Sequence, residues 1–187
     1  MKKQEFAPFS AKQTAALCWW ADGSPYSGCD GIICDGAVRS GKTLCTSVSF
    51  VAWAFSAFSD RSFALCGKTI ASLRRNVVTS LLPVLRELGF DCAEKYSRNL
   101  IEISCGGRMN RFYLFGGKDE GSAALIQGMT LAGVLLDEVT LMPRSFVEQA
   151  LARCSVEGSK LWFNCKDRKS TRLNSSHSRK SRMPSSA

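Results

Sequence analysis

Residues 36–43 read Gly-Ala-Val-Arg-Ser-Gly-Lys-Thr. A glycine, four residues and then Gly-Lys-Thr is the pattern of a loop that wraps phosphate in its backbone N–H groups at the start of a helix. No other feature constrains the fold so tightly, because such a loop works only between a strand and a helix. Both neighbours are present. Residues 31–35 (GIICD) read as a short buried strand, and residues 43–58 (TLCTSVSFVAWAFSAF) are long and apolar enough for a buried helix. Gly36 and Gly41 suit the turn because neither carries a Cβ. Lys42 is placed to reach β- and γ-phosphates, and the Thr43 hydroxyl to bind Mg²⁺. With Ala37, Val38, Arg39 and Ser40 between them, Gly36 to Thr43 form the expected nucleotide-binding set.

A nucleotide hydrolase also needs an acidic strand end to hold its metal. Residues 132–136 are an apolar strand that ends in Asp137-Glu138. Asp137 is expected to hold Mg²⁺ through water, and Glu138 to orient and deprotonate the attacking water. This pair narrows the class. Guanine-reading enzymes use N-K-x-D, and the nearest stretch, Asn164-Cys165-Lys166-Asp167, has the wrong order. A small-molecule kinase requires no glutamate beside the aspartate, since its substrate is the nucleophile. Asp-Glu after an apolar strand fits ATPases that activate water, namely motors and helicases.

Between the two motifs, residues 62–66 (SFALC) read as a further strand. A helix follows, with Leu73, Val77, Leu81, Leu82, Leu85 and Leu88 at helical spacing and Gly89 as its stop. This inserted unit suits the same motor class. The expected fold is α/β: a P-loop NTPase of the ASCE motor type, with a mostly parallel sheet and helices on both faces.

Composition sets the limits. The 187 residues, 45% apolar, suffice for one domain with a real core. No apolar run is long enough to span a membrane, and residues 1–10 hold no apolar stretch behind their lysines. The nine cysteines form no C-x-x-C pair. Most, such as Cys34, Cys45 and Cys66, sit in apolar runs, and the nine read as small buried thiols of a reducing cytosol, not as disulfides or zinc ligands. The formal charge is +9, but residues 167–187 hold six Lys/Arg and one Asp, leaving +4 for the other 166 residues. That tail resembles the translation of a sequencing-adapter oligonucleotide. Residues 1–166 are therefore expected to form the domain, with the native chain interrupted near residue 165. Lys68, Arg74, Arg75, Arg108 and Arg111 read as solvated faces in preference to a DNA-phosphate track. Trp19, Trp20, Trp53 and Phe55 read as core.

Taken together, these motifs resemble the large subunit of tailed-phage terminases, the motor that packages viral DNA, and most of all its PBSX-type branch. The resemblance covers nearly all of residues 6–165. PFSAKQTAAL is similar to the family's entry motif, which implies that Gln13 contacts adenine. GAVRSGKT is similar to its phosphate loop, including an internal arginine, Arg39. CGKTIASLRRNVV resembles the segment after the second strand, and LIQGMTLAGVLLDEVTLMP is close to the acidic-strand signature. SKLWFNC resembles the strand leading into a coupling motif, which implies a coupling role for Asn164. Relatives often carry arginine where this chain has Gln127. Arg39 is then the better candidate for charge stabilisation at the γ-phosphate, with pairing to an acidic neighbour as an open alternative and Arg153 as a distant third.

The resemblance implies an ATPase that uses ATP and Mg²⁺ to drive double-stranded DNA into a procapsid. It implies a homo-oligomeric ring on the portal protein, a terminase small subunit as partner, no membrane, and action in the cytoplasm of the bacterial host. The family's nuclease domain is expected to be absent from this chain. The rival readings are a helicase-like or other DNA-stimulated P-loop ATPase with no capsid, and a nucleotide-binding module without catalysis.

Overall fold

The structure, a computed structural model, describes residues 9–36 and 41–165. Seven strands form one sheet in the order β1-β7-β6-β2-β5-β4-β3. They are β1 (Gly31–Cys34), β2 (Ser62–Gly67), β3 (Asp91–Lys95), β4 (Leu100–Cys105), β5 (Arg108–Gly116), β6 (Gly133–Leu136) and β7 (Lys160–Asn164). Neighbours from β1 to β5 pair in parallel; β5–β4 and β4–β3 are antiparallel. The expected mostly parallel sheet is therefore present. Its antiparallel end turns at Gly106 and Gly107, both at positive φ (56° and 77°), as a two-residue hairpin loop requires.

Helices cover both faces. Alternation along the central strands feeds two cores: Phe63, Leu65, Leu135 and Trp162 pack on one side, Ala64, Cys66, Val134 and Leu136 on the other. The first core receives α2 (Lys42–Ala57) and α4 (Thr79–Glu87); the second receives α5 (Arg144–Ala152). At the heart of the first core Phe50 meets Trp162 edge-on at 5.0 Å, and Trp53 meets Trp162 at 4.9 Å. Each such buried aromatic contributes on the order of 2–3 kcal/mol. Trp19, Trp53 and Phe55 are buried, and Trp20 packs against the same core, as expected.

Three sequence expectations change. The strand before the loop is not buried. β1 pairs only with β7, so it is an edge strand, and Ile33 is 71% exposed. The helix after β2 is not uniform either. A short α3 (Ile70–Leu73) runs through a π-helical turn (Arg74–Val78) into α4. Leu73, Val77, Leu81, Leu82 and Leu85 are buried, but Leu88 is 58% exposed, because it sits at the C-cap where the chain leaves the helix. Gly89, at φ 87°, is the expected stop. Its N–H donates to Arg86 O, and the Phe90 N–H donates to Leu85 O, the two bonds of a Schellman cap. Phe90 folds back to pack on Phe55. Of the cysteines, Cys45 and Cys66 are buried and Cys34 partly so, whereas Cys18 and Cys29 are exposed.

Among the described residues no helix is long and apolar enough to cross a membrane.

Candidate functional site

The parallel register brings three strand ends together. Cys34 of β1 pairs with Asn164 of β7, and Phe163 of β7 pairs with Leu136 of β6. The loop that leaves β1 re-enters at Gly41, which caps α2 at φ 72°. A side chain there would be strained, and its Cβ would lie 3.1 Å from Gln13 Nε2. The Lys42 ammonium folds back and donates to Gly36 O at 2.5 Å. Ala37, Val38, Arg39 and Ser40 lie outside the described residues, as does the tail from 166 onward.

Asp137 follows β6 and is 4% exposed. The Thr43 hydroxyl donates to its Oδ1 at 3.4 Å, across 94 residues of sequence, and Asn164 Nδ2 donates to the same oxygen at 3.3 Å. Burial pushes the Asp137 carboxyl above its ordinary value; the Asn164 hydrogen bond opposes this, neighbouring Glu138 adds to it, and Thr43 and Lys42 oppose it. Glu138 is a non-glycine residue in the left-handed region, at φ 54° and ψ 46°. A carboxylate held there at a strand end costs on the order of 1 kcal/mol or more, a strain typical of functional positions.

Gln13 lies in the first turn of α1 (Ala11–Cys18). Its Oε1 accepts from the Ser10 N–H at 2.8 Å and Ser10 Oγ accepts from the Gln13 N–H, a reciprocal cap. The Cys45 thiol of α2 donates to Gln13 O at 3.2 Å, which ties α1 to the helix that carries Lys42. Ser49 strengthens the tie. Its Oγ donates to Leu17 O at 2.8 Å and accepts from the indole N–H groups of Trp20 and Trp162 at 3.2 and 3.3 Å. Between α1, β1 and α2 opens a cleft of about 700 Å³, lined in part by Gln13, Trp19, Ile32, Lys42 and Thr46.

The donor set suits magnesium. One carboxylate and one hydroxyl stand together as hard oxygen ligands, and among the described residues no group of three or more His, Cys, Asp or Glu could enclose a metal. Magnesium is usually held in this way, by one or two protein oxygens with phosphate and water completing its shell.

Most of the basic candidates have other tasks. Arg74 pairs with Glu94 at 3.1 Å and lies over the Tyr96 ring. Arg108 donates to the carbonyls of Phe55 and Ser56 at the end of α2, and Arg111 pairs with Asp60. Lys68 and Arg75 remain exposed. Arg153 stands beside Leu131, at the opposite end of β6 from Asp137. At about 3.3 Å per residue that separation is roughly 20 Å, so Arg153 does not reach the site of its own chain. Thr46 also belongs to the site, with its hydroxyl 3.0 Å from Asn164 Oδ1. A threonine inside an apolar helix carries no signal that marks it.

Residues 33–162 match the family model described as terminase large subunit, T4likevirus-type, N-terminal. The chain is similar to the large terminase from a thermophilic bacteriophage at 55% identity and a TM-score of 0.82, over 85% of this chain and 39% of that one. The same phage's large terminase in complex with ADP aligns at 53% identity and a TM-score of 0.82, over 84% and 39%. The HK97 bacteriophage large terminase, at 14% identity and a TM-score of 0.61 over 86% and 33%, shares the fold. The chain thus spans about 39% of the length of the thermophilic phage's protein. No curated protein sequence matches it.

Proposed function

Because the chain belongs to the terminase large-subunit family, we infer that residues 1–166 are the ATPase motor domain of a phage DNA-packaging enzyme. The observation that carries this reading is the meeting of the Thr43 hydroxyl and the Asp137 carboxylate at 3.4 Å, at the mouth of the phosphate loop. The thermophilic phage's large terminase, resolved in complex with ADP and with ATP-γ-S, supports nucleotide binding by this chain.

In this reading Gly36 to Thr43 cradle the phosphates, with Ala37, Val38, Arg39 and Ser40 supplying backbone N–H groups. Gln13 contacts adenine at the side of the cleft. Lys42 leaves Gly36 O for the β- and γ-phosphate oxygens. Thr43, and Asp137 through water, would hold magnesium, which when bound would neutralise phosphate charge. Glu138 orients a water and accepts its proton as the oxygen attacks the γ-phosphorus. The bond to the β–γ bridging oxygen then breaks, and ADP and phosphate leave. Arg39 offsets charge at the γ-phosphate, and Asn164, at the end of β7, serves to couple hydrolysis to movement. The hydrolysis drives double-stranded DNA into a procapsid, within a ring of subunits on the portal protein, served by a small terminase subunit, in the cytoplasm of the bacterial host.

Calorimetric titration with ATP-γ-S and Mg²⁺ tests the assignment of the loop. The intact chain is expected to bind, and Lys42→Ala to bind at least roughly tenfold more weakly, since a charge-assisted phosphate contact is lost. Equal affinity in the two proteins would overturn the assignment.

A further inference from the structure

Thr46 lies one turn into α2 and is 1% exposed. Its hydroxyl has three acceptors in range: Asn164 Oδ1 at 3.0 Å, Lys42 O at 2.9 Å and Thr43 O at 3.1 Å. It has one proton to give. Asn164 is 2% exposed, and its other amide atom, Nδ2, donates to Asp137 Oδ1. A side-chain amide can be turned over with little change of shape. Were Thr46 to donate to Lys42 O, its lone pairs would face the amide. The NH₂ group would then favour Thr46, and the amide oxygen would turn toward the Asp137 carboxylate, where oxygen meets oxygen. Donation to Asn164 Oδ1 avoids this and aims the NH₂ at Asp137. No other side chain donates to Asn164 Oδ1 among the described residues.

We propose that Thr46 is a positioning residue of the ATPase site: its hydroxyl fixes the Asn164 amide, and the amide holds the Asp137 carboxylate as its metal ion requires. Thr46 touches neither nucleotide nor metal in this scheme. It acts on both motif strands at once, since Asn164 stands on β7 between the loop strand β1 and the acidic strand β6. The inference rests on the proposed function and deepens it.

The test uses the full chain, a fluorescent N-methylanthraniloyl-ADP and a titration of MgCl₂. Thr46→Val removes the donor and keeps the branched shape. The Mg²⁺ concentration at half-saturation should rise roughly tenfold, as loss of an outer contact to a metal ligand does. Affinity in EDTA should stay within about twofold, a spread too small for a lost phosphate contact. Thr46→Ser should restore the wild-type Mg²⁺ dependence. In an Asn164→Ala background Thr46→Val should add nothing, because the two residues act in series. Thr46→Ala provides a second donor-free variant should the valine disturb folding. The proposal falls if Thr46→Val keeps the wild-type Mg²⁺ dependence, if Thr46→Ser is as impaired as Thr46→Val, or if the affinity in EDTA drops by the same factor. Wild-type chain that bound no nucleotide would instead contradict the proposed function.

Discussion

Ser49→Ala should destabilise the domain well beyond what loss of one hydroxyl costs at a surface. Ser49 Oγ is fully buried and makes three hydrogen bonds, which join α1, α2 and β7. Alanine leaves the indole N–H of Trp162, itself 0% exposed, facing a methyl group. A stranded buried donor costs about 1–3 kcal/mol. The Leu17 carbonyl and the Trp20 N–H are only partly buried, so water recovers much of their loss. The total is about 2–3 kcal/mol. For a domain of this size each kcal/mol lowers Tm by about 2–4 °C, so a fall of roughly 5–10 °C is expected by differential scanning fluorimetry. Urea unfolding followed by tryptophan fluorescence should give the same free energy with an unchanged m-value. Ser56→Ala is the control. That hydroxyl donates to Trp53 O from an exposed residue, so its removal should change stability by less than about 0.5 kcal/mol. If Ser49→Ala matched Ser56→Ala, the claim that this hydroxyl ties the three elements together would fail.

Two further outcomes follow from packing and burial. Gly133→Ala would place a Cβ 2.6 Å from Trp53 Cζ3 and 3.0 Å from Lys160 O, so it should cost about 1–3 kcal/mol in thermal unfolding; Gly28→Ala, with nothing within 4 Å, should be nearly neutral. Burial pushes the Cys154 thiol up to about 12, and the Cys34 thiol, with Cys45 nearby, up to about 11. Both should therefore react slowly with a disulfide reagent at pH 8, while exposed Cys18 and Cys29 react fast. These raised values favour the neutral thiol in the folded state. Their contribution is complete below about pH 9, where unfolded thiols stay protonated, and declines between about pH 9 and 12. Melting temperatures that rose across that window in Cys154→Ala and wild type alike would refute the sign.

Much of the architecture was legible in the sequence because its signals are local. Glycines at 36 and 41 with Lys42 and Thr43 mark one turn, an apolar run before Asp137-Glu138 marks a strand end, and leucine spacing marks α4. Gly89 announced its cap because only the left-handed conformation reverses the chain there. What stayed hidden depends on partners distant in sequence. β1 and β6 are equally apolar runs, yet β6 lies inside the sheet and β1 at its edge, and only pairing order decides which is exposed. Arg108 and Asn110 look like hairpin polar residues, but they cap the end of α2 more than fifty residues away. The π-helical turn at Arg74–Val78 leaves no mark in a leucine pattern that continues on either side of it. Within the site, Asp137 was visible, but the pairing of Thr46 with Asn164, 118 residues apart, was not.

Single-turnover hydrolysis of radiolabelled ATP by wild type and Glu138→Gln tests whether Glu138 is the base of an ATPase site. Glutamine keeps the size of the side chain and removes its ability to accept a proton. Glu138→Gln should bind ATP and Mg²⁺ as wild type does, while the hydrolytic rate falls by roughly 10²-fold or more. Hydrolysis by Glu138→Gln at the wild-type rate would contradict this role, and would assign the base to another residue.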